Sequence, residues 1–475
     1  MCLKIILKTR LIIPKVRNKR GLGYMMRSLY SGVSGLVNHQ VRMDVLGNNI
    51  SNVNTYGFKR ERVTFQDIIS QMMEAAARPT DERGGINSKQ VGLGMAVSSI
   101  DKIMTQGSIQ TTGINTDLAI AGEGFFTLKK GEQLFYTRAG NFYIDKDGLL
   151  VNANGLKVQG WKAQKLTTGE IVINPSGQIE DLYIPRGAKS PAAATTIVKY
   201  RSNLNTATPI ITPESTELDK EKYTHKTSVD VFDSYGNKYR MFVDFVRVGL
   251  NKWEGTVNVE GAPNALVSVG ESKIDNNNKF TVEFDSKGTL KSVSDNSANP
   301  TVVDNGTLSV KVRFVLPDGK EQSINLQLGN VGSIDNSITQ FYAPSTAGHY
   351  DQDGHAMGYL ESFKIDSSGT IIGVFTNGLQ EPLGQIALAG FTNPQGLEKV
   401  GENLYIETMN SGLADISQAE IKGKGKIYSG ALEMSNVDLS DAFVDMIVTQ
   451  RGFQANSRTI TTTDQMLQEL LNLKR

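Results

Sequence analysis

The chain has 475 residues, 39% of them hydrophobic, with 50 Lys or Arg against 49 Asp or Glu, so it is long enough for two to four domains and close to charge balance. That balance leaves no basic surplus to answer phosphate, which argues against nucleic acid as a partner, and no run reaches the ~18 apolar residues of a membrane span. A single Cys and 4 His provide neither an intrachain disulfide nor a zinc-type spacing, whereas 47 Gly suit a turn-rich β protein.

Residues 1–24 are a basic extension without Asp or Glu, and they hold the only thiol, Cys2. Their apolar triplets are interrupted by charges and do not form the continuous core of a secretory signal. Two readings remain for this segment: translation starting at Met25 or Met26, or a flexible basic arm. From Leu29 the spacing alternates by four and three through Val33, Leu36, Gln40, Met43, Gly47 and Ile50, which predicts a helix over 25–54 with a heptad seam. One row of that seam (Leu29, Leu36, Met43, Ile50) is apolar, and the other turns polar. Residues 55–99 read as a glycine-rich connector with one short helical run around Asp67–Ala77.

Strand-type alternation begins near residue 100. It runs through Asp117–Ala121 and Leu134–Gly140, with turn sequences at Asp145–Gly148 and Asn152–Gly155. An inner β domain is expected over 100–166 and 344–423, interrupted by an inserted outer β domain over 167–343. The clearest hairpin of the insert is 227–245, turning at Asp233–Asn237. After a connector at 424–435, residues 436–475 repeat the helical design through Leu439, Phe443, Met446, Gln450, Phe453, Ser457, Ile460, Asp464, Leu467 and Leu471. Asp438 is placed to cap this helix, and Asp441 is a first-turn acid. The fold class expected is therefore α+β multidomain, with the terminal helices paired as a coiled-coil-like layer and nested all-β domains between them.

Chemistry is sparse. Gly122-x-Gly124 lacks a third glycine and a following helix, so it predicts no nucleotide site. His39, His225, His349 and His355 are scattered and read as solvated or turn residues. Asp351-x-Asp353-Gly354 reads as a turn rather than a calcium loop. No catalytic, metal or cofactor residue is expected, and the chain is not expected to be an enzyme. A surface adhesin or carbohydrate-binding β protein is the alternative suggested by the insert, while a secreted hydrolase would need an acidic pair or triad that the sequence does not offer. Two matched amphipathic helices alone in water are marginal, so neighbouring subunits should supply burial along both seams.

Three stretches carry a family resemblance: Ser28–Leu36 with Met43–Asp67, Asp117–Phe126 with Tyr136–Phe142, and Gly430–Ile460. They resemble the axial proteins of the bacterial flagellum, the rod and hook subunits. The large insert, its hairpin and Leu383–Tyr405 resemble the hook subunits rather than the distal rod. The resemblance implies a helical homopolymer, a flexible curved tube carrying torque from rod to filament. It also implies export by the flagellar type III apparatus, and contacts with distal rod, hook cap and hook–filament junction proteins. Location would be the hook and basal body, outside the cytoplasm. The assembly interface would draw on Leu29, Val33, Leu36, Gln40, Met43 and Ile50 and on Phe443, Met446, Gln450, Phe453, Ile460, Leu467 and Leu471. A covalent cross-link of the kind found in some periplasmic flagella is not expected, since Cys2 is the only cysteine.

Overall fold

A computed structural model describes residues 20–473 apart from 77, 80–83, 167–170, 186, 213–214, 262–265, 269–277, 296–306 and 317–318. Most of the basic extension, with Cys2, lies outside the described residues. The chain divides into a terminal unit, formed by residues up to Ile184, by Lys364–Ile372 and from Pro382 onward, and an inserted unit of Pro185–Phe363 with Gly373–Glu381.

The inserted unit is built from two sheets. One has five antiparallel strands in the order His225–Phe232, Lys238–Gly249, Lys252–Val259, Lys279–Phe284, Leu290–Asp295. The other has six, with Ile197–Asn205 central, flanked in parallel by Glu321–Asn330 and Ile338–Phe341. Period-two alternation explains the packing: in Lys238–Gly249, Met241, Val243 and Phe245 are fully buried, while Phe242 between them is exposed. The inward faces of both sheets meet in one core containing Val198, Tyr200, Trp253, Phe280 and Leu326. The predicted hairpin forms as expected. Buried Asp233 closes its turn by accepting from the Tyr235 and Asn237 amides at 2.8 Å each. Gly348–Gln352, expected in the inner domain, pairs instead with Ile197–Asn205 of the insert. Asp351 thus sits in a strand rather than a turn, ion-paired to Lys199 at 2.8 Å, while Asp353 accepts from the amides of Thr196 and Ile197.

In the terminal unit, Phe125–Lys130 forms a hairpin with Gln133–Thr137 and also pairs with Lys157–Lys165 and Leu388–Gly390. Phe125, Tyr136, Ala389, Leu397 and Tyr405 make a small core here, with Tyr136 edge-on to Phe391 at 4.8 Å. The turns at Asp145–Gly148 and Asn152–Gly155 close through amide-to-carbonyl bonds of 2.9 and 3.0 Å. The short helix expected around Asp67–Ala77 is absent. Ser70–Glu74 is a strand paired with Lys89–Gly92, because backbone pairing across a ribbon overrides the modest helix propensity of the Met-Met-Glu segment.

Two long helices complete the unit, Arg20–Ser51 and Leu439–Asn472. Neither contains proline. The second starts where predicted: the Asp438 carboxylate accepts from the Ser440 and Asp441 amides at 2.7 and 3.2 Å. The first ends at an asparagine-rich turn that leads to Gly57 at φ 67. A Cβ at Gly57 would lie 2.5 Å from the Ala139 amide nitrogen, so this turn admits only glycine.

Candidate assembly interface

The helices run antiparallel, and their seam can be followed from one end to the other. Ser28 lies 3.4 Å from Thr463, hydroxyl to hydroxyl. Gly32 faces Ile460, Gly35 faces Asn456, and Gly452 faces the His39 ring, each so closely that an added Cβ would come within 3.1 Å of its neighbour. Arg42 then pairs with Asp445 at 3.0 Å. Buried Leu46 and Ala442 lie near the foot of the pair. The seam polar groups are partly satisfied within their own helix: buried Thr449 and Thr463 each donate to the carbonyl four residues back at 2.7 Å. Burial and the neighbouring Arg42 hold the His39 imidazole below its ordinary pKa. The ring stacks edge-on to Phe65 at 5.7 Å, so His39 is a packing residue and not the solvated one expected.

This seam uses Ser28, Gly32, Gly35, His39, Arg42 and Leu46, a row one residue before the one the hydrophobic pattern selected. The predicted residues flank it. Leu29, Leu36, Met43 and Ile50 are half-buried, as are Met446, Phe453, Ile460 and Leu467, and of these Ile460 reaches Gly32. Val33, Gln40, Phe443, Gln450 and Leu471 are exposed, with Phe443 at 51%. The outward apolar surface also includes Val37, Val444, Ile447 and Val448. Glycines thus set the close approach along the middle of the seam, while Val33, Val37, Phe443, Val444, Ile447 and Val448 point away from it.

Below the helices lies a second arrangement that hydropathy did not reveal. Lys59, Arg138 and Glu433 are buried together: Lys59 Nζ is 2.6 Å from Glu433 Oε1, and Arg138 is 3.4 Å from Glu433 Oε2. The Gly107 amide adds a 2.9 Å bond to Glu433 Oε1, and Lys59 also donates to the Thr105 carbonyl at 2.8 Å. Burial pushes the Lys59 pKa down against the opposing pull of Glu433. Asn436 ties the same segments, accepting from the Arg60 amide and donating to the Ile103 carbonyl. These residues lie just beyond the helix ends, so they fix the two helix roots to one β framework. The only sequence signal for them is that Lys59, Arg138 and Glu433 each fall inside one of the three stretches that carry the family resemblance.

Among the described residues no cluster of His, Cys, Asp and Glu is arranged to hold a metal ion, and no helix is long and apolar enough to cross a membrane. Four family models match: the flagella basal body rod protein over 29–59, the flagellar hook protein FlgE/F/G D1 domain over 119–192, the flagellar basal body protein FlaE D2 domain over 203–355, and the flagellar basal body rod FlgEFG protein C-terminal region over 428–473. Full-length relatives agree with them. The chain is 51% identical over 464 residues to the flagellar hook protein FlgE of Treponema pallidum, covering 95% of this chain and 100% of that one. Identity is 48% to the hook protein of Borreliella burgdorferi, with 95% and 100% covered, and 34% to that of Escherichia coli, with 93% and 98% covered. Identical at 51% and 48% to two hook proteins matched over their whole length, this chain belongs to the flagellar hook protein family.

Proposed function

We propose that the chain is a structural subunit that polymerises into the flagellar hook, a flexible curved tube coupling the rod to the filament, and that it carries out no catalysis. The observation that carries this reading is the inverted packing of the helix pair. The middle of its joint is close-packed at Gly32, Gly35 and Gly452 against Ile460, Asn456 and His39, while Val33, Phe443, Val444 and Ile447 remain outside at 45–61% exposure. A surface of this kind is stabilised by further copies of the same helices. Copies related by a rotation and rise that never closes make a tube. The inserted sandwich, with its own core, would then serve as an outer layer. Distal rod, cap, junction and export proteins are the partners this role requires.

Electron microscopy tests the reading directly. The full chain should form tubes on salt-induced assembly, and a chain lacking residues 437–475 should form none. Tubes from both would remove the helices from assembly, and absence of tubes from the full chain would contradict the polymer itself.

A further inference from the structure

We propose that the foot of the helix pair is a socket for the tip of the C-terminal helix of a second copy of this chain. The proposal rests on the hook-subunit reading and names the contact through which copies join head to tail. A cavity of about 160 Å³ opens at the foot, floored by Leu46, Val63, Ile103 and Ala442. Arg60 and Asp441 stand on its wall. The Arg60 Nε is buried without a hydrogen-bond partner, and among the described residues neither Arg60 nor Asp441 is in an ion pair. Arg42, Arg62, Glu61, Asp438 and Asp445 also line the opening, which is therefore of mixed charge, and the apolar floor beside a buried guanidinium nitrogen without an acceptor calls for a ligand that is apolar at one point and offers an acceptor at another.

The tip of the C-terminal helix has that chemistry. Leu473 is 82% exposed and Leu471 68%, far more than a side chain with a partner of its own would be. Glu469 is exposed one turn before Leu473, on the same face, with the Leu473 amide bonded to the Glu469 carbonyl at 2.9 Å. Leu473 would fill the floor while Glu469 meets Arg60. The occupant must come from another copy. At ~1.5 Å per residue the 34-residue helix places its tip about 50 Å from its own foot. Tip-to-foot contact joins unlike surfaces, the kind of contact that builds an open helical polymer when its rotation does not close.

Cysteine trapping provides the test. In the full chain carrying Cys2→Ser, the pair Val45→Cys and Leu473→Cys should give, after assembly and mild oxidation, a ladder of covalent dimers, trimers and higher species. Either substitution alone should leave monomers, since the contact pairs position 45 with position 473. As a second arm, Glu469→Arg and Arg60→Glu should each raise the critical concentration for assembly by roughly tenfold through the like charges they create, and the two together should restore it. Tubes that form normally but yield no ladder, with no rescue by the double reversal, would overturn the socket and leave the hook-subunit reading standing. A Cys2→Ser chain that never assembles would overturn both.

Discussion

The inserted sandwich and the terminal helix pair handle their apolar residues in opposite ways. In the sandwich, Tyr200, Phe245, Trp253 and Phe280 are fully buried in one continuous core, and the Trp253 Nε1 finds Gln340 Oε1 at 3.2 Å. In the helix pair most of the residues that meet are small or polar, with Ile460 and Leu46 the exceptions, and side chains such as Phe443 and Ile447 are left more than half exposed. On the function proposed above, the difference teaches that one region carries its own stabilising core, whereas the other leaves apolar surface for copies to cover.

The comparison can be broken or sharpened at specific residues. Glu433→Gln should have the largest effect, because it leaves Lys59 and Arg138 buried without a counter-charge. We expect a loss of about 3–5 kcal/mol from the terminal unit in urea unfolding, with Lys59→Met added to Glu433→Gln recovering a substantial part. Full stability in Glu433→Gln alone would show that the roots of the helices are not anchored by charge. Leu326→Ala, in the sandwich core, should cost about 2–5 kcal/mol in the unfolding of the insert and leave tube formation intact at low temperature. If assembly failed with the insert still folded, the two regions would not be separable in the way described.

Gly35→Leu is an overpacking test of the helix joint. The new side chain must displace Asn456, whose Nδ2 would be 2.7 Å from an added Cβ, at a cost of about 1–3 kcal/mol seen as weaker assembly. The sandwich melting transition should not move.

The smallest effect concerns pH. Because His39 sits below its ordinary 6.5 in the folded pair, the unfolded chain takes up its proton first as pH falls. The helix pair therefore loses stability below about pH 6.5, and the loss is complete once pH passes the lower folded value. Helix circular dichroism of the assembled chain between pH 7.5 and 5 should show this decline, and His39→Asn should flatten it.

Local chemistry was the most legible part of this fold. Asp438 as a cap, the hairpin turning at Asp233, and the turns ending at Gly148 and Gly155 are all set by short-range backbone needs, and they appear where the sequence places them. The helix joint was less legible by one residue position. A hydropathy pattern weights Leu29, Leu36 and Met43, whereas close approach is set by Gly32, Gly35 and Gly452, which carry no hydropathy signal. The buried charges carry no local signal either: Lys59 and Glu433 meet across 374 positions of the chain, beyond any sequence window. The ribbon of Ser70–Glu74 was read as helix because its residues favour helix locally, and its pairing partner lies beyond the window in which periodicity is judged.

Amide hydrogen exchange of the chain as dilute monomer and as sedimented polymer tests the central claim most directly. The account predicts that amides of residues 29–50 and 440–471 are strongly protected only in the polymer, while those of Lys238–Gly249 and Glu321–Asn330 are protected equally in both. Helix amides as well protected in the monomer as in the polymer would contradict it.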